Sequence, residues 1–143
     1  MGRVINPESA AKERTVLTRS AVLAIRELMR QTEADTQTKD LAAFIALALE
    51  GISATIDSSV EAWEKRGYWV KADRFRMEWL WSENLGRAMR QAVLADDLPG
   101  VAATAVQIAA KLSKVKVPQR HGLGTPWVGA FERLRANGAN GRG

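Results

Sequence analysis

The chain contains no cysteine. Disulfides, thiolate nucleophiles and cysteine-ligated metals are excluded together, and the composition fits a reducing compartment. Histidine is nearly missing as well. A single one, His121, rules out multi-histidine metal sites, including the paired Glu-x-x-His motifs of di-iron bundles. Long hydrophobic runs are also lacking. The longest wholly apolar run, residues 41–49, is far short of the roughly 20 residues that span a bilayer. The opening MGRVINPES holds no apolar run of secretory type. Gly2 follows Met1, but Asn6 stands where the myristoylation pattern requires Ser or Thr. These absences lead us to expect a soluble, cytoplasmic protein with no metal, no cofactor and no membrane partner.

Acidic residues are scarce at one end. Residues 1–100 carry 14 bases and 15 acids, whereas residues 101–143 carry seven bases and one acid, Glu132. The whole positive excess, +5 over the chain, therefore sits in the last third, where it suits a polyanion or an acidic protein surface. Lys111, Lys114, Lys116, Arg120, His121, Arg133 and Arg135 are the candidate contacts for nucleic acid or another anion. The bland alternative is the solvated outer face of the last helices.

Helix signals dominate what is present, and no segment alternates with a period of two. Asn6 and Pro7 read as the cap and first residue of a helix reaching about Gln31, with Leu17, Ala21, Ala24 and Leu28 on one face. A second helix opens at Asp35 or Thr36 and runs to about Arg66, with Gly67 as its stop. Its inner positions are Leu41, Ile45, Ala48, Ile52, Ile56 and Trp63, and Gly51 is a soft spot where it could bend. The third helix covers about 70–95, with Phe75, Trp79, Leu85, Met89 and Val93 inward. DDLPG then starts a fourth, patterned by Val101, Ala105, Ile108, Leu112 and Val115 and ended by Pro118. A Pro/Gly loop leads to a short helix capped by Thr125, with Trp127, Phe131 and Leu134 apolar, expected to dock back on the rest. The fold expected is all-α: an elongated antiparallel four-helix bundle with a short fifth C-terminal helix. Residues 1–136 form one domain and 137–143 a disordered tail.

Residues 41–49, LAAFIALAL, are apolar on every side, so they need several covering helices or a second subunit. Phe44 is the candidate there for contact with another chain. Six of the nine aromatics fall between Trp63 and Trp81, interleaved with Lys65, Arg66, Lys71, Arg74 and Arg76. Such a block is either a stacking platform for unpaired bases or a packed helix corner. Packing is favoured, because Glu64, Asp73 and Glu78 neutralise the bases and Glu78 lies four residues from Arg74. Trp79 and Trp81 point roughly 200° apart on a helix, so both cannot face the same core, and one of them is either exposed or in contact with another chain. Trp69, Arg74, Trp79 and Trp81 join Phe44 as candidate interface residues.

Nothing reads as catalytic. GLGT at 122–125 lacks the third glycine and the preceding strand of a dinucleotide loop. Glu61 is better placed to pair with Lys65, and Asp96/Asp97 to cap a helix, than to do acid–base work. An enzyme would need His121, Arg120 and a carboxylate such as Glu83 around one pocket, and no spacing brings them together. The leading expectation is a non-enzymatic helical protein acting by association, as a homo-oligomer or a subunit or adaptor of a larger assembly. The alternative is an RNA or single-stranded DNA binding module using the basic C-terminal third.

Overall fold

A computed structural model describes residues 7–140 of the protein. The described residues form five helices and no strand: α1 (Pro7–Arg30), α2 (Thr36–Lys65), α3 (Trp69–Leu94), α4 (Leu98–Lys111) and α5 (Ala130–Asn140). The Asn6 cap and residues 141–143 of the expected tail lie outside the described residues.

Local chemistry explains most boundaries. The Asp35 carboxylate accepts from the Thr38 N–H at 3.1 Å and starts α2. Gly67, with φ +82, reverses the chain after α2, and its N–H closes on the Glu64 carbonyl. Asp97 caps α4 through the Gly100 N–H at 3.0 Å, and Pro99 occupies its first turn.

Two boundaries differ from the sequence reading. Helix α4 stops at Lys111 rather than at Pro118, with the Leu112 N–H bonded back to Ile108. Leu112 remains buried and Val115 half-buried, so the apolar rhythm continues through residues that are no longer helical. At the other end, residues 126–129 form a turn in place of the first turn expected at Thr125. Gly129 takes φ +79, a left-handed conformation that interrupts the helix before Ala130. Helix α5 then continues to Asn140, through the first four residues of the expected tail.

Helix α2 lies at the centre, packed on α1, α3 and α5, while α4 lies on α3 with a smaller contact to α1. By length and composition α2 could cross a membrane, yet most of its apolar stretch is buried inside the molecule. Residues 41–49 are buried except for half-covered Leu47. Their all-round hydrophobicity is thus absorbed by neighbouring helices of the same chain. Phe44, at 8% exposure, belongs to this core and has little surface to offer a second chain.

Two glycines set the spacing around α2. A Cβ at Gly86 would stand 3.1 Å from the Leu49 Cβ and 3.6 Å from the Glu50 nitrogen, so α3 meets α2 nearly backbone to backbone. A Cβ at Gly51 would meet only the tip of Leu17, at 2.8 Å, and α2 passes through this position unbroken.

Candidate functional site

Three places on the surface could carry function: the aromatic block of α3, the basic segment after α4, and a groove between α2, α3 and α5.

Most of the aromatic block packs on itself. Trp63 meets Phe75 edge-on at 4.9 Å, Phe75 lies 6.5 Å from Trp79, and Trp79 stacks on Trp81 at 5.8 Å. Of the two outcomes expected for Trp79 and Trp81, full exposure of one of them is not found. Both are half-buried, because their long side chains fold toward each other around the helix. Lys71 covers Trp63 at 4.6 Å and Arg14 covers Phe75 at 4.9 Å, so cations already occupy faces that a base would need.

Arg14 escaped the sequence reading. It donates to the Thr55 hydroxyl, the Thr55 carbonyl and the Ser59 hydroxyl at 2.8–3.1 Å, tying α1 to α2. Burial lowers its pKa. No sequence spacing announces a contact between residues 41 to 45 positions apart.

The exposed aromatics are others: Tyr68 and, at 62%, Trp69. They begin an apolar strip along the outer side of α3. Val70 (67%), Met77 (64%) and Leu80 are also exposed. Trp69, Val70, Asp73, Met77, Leu80, Trp81 and Asn84 fall within about 120° of arc at 100° per residue. Ala72, Phe75, Ser82, Gly86, Met89 and Val93 take the opposite side and supply the packing. Arg74 borders the strip about 20° beyond Trp81, and Glu78 follows one turn later, about 40° further round. The pairing their spacing suggests does not form, and among the described residues neither makes an ion pair or side-chain hydrogen bond. Glu61 and Lys65 likewise form no ion pair among the described residues. Arg76 instead bridges Glu64 at 3.1 Å and Asp73 at 3.6 Å.

The basic candidates divide. Lys111 at the end of α4 and Lys114, Lys116 and Arg120 on the segment after it are exposed, with no acidic partner among the described residues. Leu112, Ser113 and Val115 of that segment border a small cavity, about 170 Å³, shared with Val22, Ile25 and Arg26 of α1. Arg133 and Arg135 serve α5 itself. Arg133 donates to the carbonyls of Val128 and Pro126, both at 3.1 Å, and closes the turn before the helix. Arg135 pairs with Glu132 at 3.1 Å and lies over Phe131. His121 accepts the Leu123 N–H on Nδ1 at 3.0 Å, the behaviour of a loop-shaping histidine. Among the described residues, neither His121 nor Arg120 lines the groove to which Glu83 belongs.

Glu83 faces the third place, an open groove of about 1010 Å³. Its charges are matched one to one. Arg90 grips Glu50 through two bonds of 2.6 and 2.9 Å, Arg87 meets Glu83 at 2.8 Å, and Arg135 with Glu132 closes the far wall. The Glu50 hydrogen bond holds the Arg90 pKa above its ordinary value despite some burial. Beside the groove, the Asp57 carboxyl is pushed up by burial and by Glu83, with Arg76 partly opposing. The three acids and three bases that line the groove offset one another. Among the described residues no three His, Asp or Glu side chains converge as a metal site would require.

Asp40 makes a further long-range contact. From α2 it accepts the N–H groups of Gly129 (3.0 Å) and Phe131 (2.9 Å), capping α5 from another helix. Lys39 beside it bridges to Asp96 at 3.6 Å and sits over the Phe131 ring. Asp40→Ala should cost about 1–2 kcal/mol, the effect of a lost helix cap, read as a shift of the urea midpoint. Asp40→Asn, which keeps one acceptor, should cost less.

No protein-family model matches the chain, and no curated protein or solved structure proves similar to it.

Proposed function

We propose that the protein is a non-enzymatic helical scaffold that acts by association with other protein chains, as a homo-oligomer or as a subunit or adaptor. The apolar strip on α3 carries this reading. Trp69, Val70, Met77 and Leu80 stand exposed on one side of one helix, and contiguous apolar surface rimmed by charge is typical of contact sites. Residues 41–49, which first suggested surplus apolar surface, no longer contribute, because the core absorbs them.

The scaffold we propose is an elongated antiparallel arrangement of α1 to α4 with α5 laid on α2. The connections at 31–35, 66–68 and 95–97 are short, which suits neighbouring helices that reverse direction. The lack of cysteine suits a cytoplasmic site of action.

Replacing Trp69 and Met77 together by glutamate tests the function. Both side chains are mostly in water, so helicity and melting should stay within about 0.5 kcal/mol of the parent. Concentration-dependent assembly should disappear. An unchanged assembly curve for the double variant would remove α3 from the account.

A second reading places RNA or single-stranded DNA on residues 111–120, and it rests on the unpaired Lys111, Lys114, Lys116 and Arg120. It predicts binding that falls steeply with salt and weakens on charge reversal at Lys114, Lys116 and Arg120. Against it, Arg133 and Arg135 are engaged within α5 rather than added to that segment.

A further inference from the structure

The α3 strip ends in a pattern that suits one particular partner. Arg74 and Glu78 lie on the same flank of the strip, one helical turn apart. Neither is used within the chain, while Arg76, on the other side, is already committed to Glu64 and Asp73. In an antiparallel pair of identical helices each flank meets the same flank of its mate, so charged residues face their own kind unless opposite signs sit symmetrically about the two-fold axis. Arg74 and Glu78 meet that condition about a point midway between them.

We infer that the partner of α3 is a second copy of the chain, with the two α3 helices antiparallel and Arg74 of each paired with Glu78 of the other. The inference rests on the association proposed above and names its geometry. The two-fold axis passes close to Arg76 and Met77. In that register Met77 packs beside Met77 of the second copy, and Val70 packs against its Trp81. Trp69 falls between its Leu80 and Asn84. The exposed apolar residues of the strip are all covered, with Tyr68 beside the end of the seam. Asp73, inside the strip, shares the Arg76 charge with Glu64 and so enters the seam only partly compensated, which limits the affinity. The strip from Trp69 to Asn84 is about 23 Å long at 1.5 Å per residue. One helix pair of that length is smaller than a standard interface, so a micromolar dimer is expected rather than a nanomolar one.

The absence of cysteine makes the test clean. Met77→Cys in the full chain supplies one thiol per copy, close to the axis, where a disulfide can span two facing helices. Under mild oxidation at concentrations where the protein self-associates, it should convert largely to a covalent dimer. Val106→Cys, equally exposed on α4, should remain mostly uncrosslinked. Charge exchange supplies the second arm. Arg74→Glu sets like charges against each other twice and should weaken the dimer by at least about tenfold, and Arg74→Glu combined with Glu78→Arg should restore it. A protein that dimerises while Met77→Cys stays uncrosslinked and Arg74→Glu has no effect overturns this geometry and leaves association standing. A protein that remains monomeric at every concentration overturns both.

Discussion

Trp127→Ala should lower the unfolding free energy by about 3–5 kcal/mol, and Leu134→Ala by about 2–5 kcal/mol. Trp127, in the turn before α5, is 9% exposed and Leu134 of α5 fully buried, so each substitution leaves a void beneath the C-terminal segment. A domain of this size is stable by only about 5–15 kcal/mol, which makes either change a large fraction of the whole. Truncation after Pro118 removes both anchors and uncovers the α2 surface on which α5 packs. The shortened chain should then unfold earlier and aggregate. The check is urea denaturation followed by circular dichroism, with turbidity for the truncated form. A truncated chain as stable and soluble as the full one would make α5 a free arm.

The second large effect is expected at Gly86. In Gly86→Val the Cβ would already stand 3.1 Å from the Leu49 Cβ and 3.6 Å from the α2 backbone, which leaves little room for two γ-methyl groups. Overpacking of this kind costs about 1–3 kcal/mol, and the upper end is expected because the obstacle is main chain as well as side chain. The control is Gly51→Ala. There the obstacle is the movable end of Leu17, and helix propensity returns about 1 kcal/mol, so the change should be neutral or stabilising. Thermal melts of the two variants should move apart. If Gly86→Val melts with the parent, α2 and α3 do not approach as closely as described.

The sequence revealed features whose causes are local. Asp35 and Asp97 cap helices, and Gly67 reverses the chain, through contacts made within a few residues. Ala21, Ala24, Leu41, Ile45 and Ile52 are buried as their spacing implies. What escaped depends on distant partners. Asp40 reads as a surface acid of α2 until α5, about 90 residues away, brings it two N–H groups. Arg14 reads as a solvated base until Thr55 and Ser59 arrive beside it. Periodicity also misled at Leu112 and Val115, where residues bury without being helical.

The candidate site was legible in part. Trp69 was singled out and is exposed, whereas Phe44, Trp79 and Trp81 turn inward to different degrees. Spacing gave the possibility that Trp79 and Trp81 diverge, but side chains of that length can fold back and stack. The same limit applies to Arg74 and Glu78. Their separation permits an intrahelical pair, and which rotamers the two side chains adopt decides whether it forms.

Association through the α3 strip is the central claim, and sedimentation velocity of the unmodified chain tests it most directly. Between about 1 and 100 µM, the mass should climb from that of a single 15.7 kDa chain toward twice that value, and the Trp69/Met77 double-glutamate variant should stay at the single-chain mass throughout. A constant 15.7 kDa for the unmodified chain across that range would contradict the account.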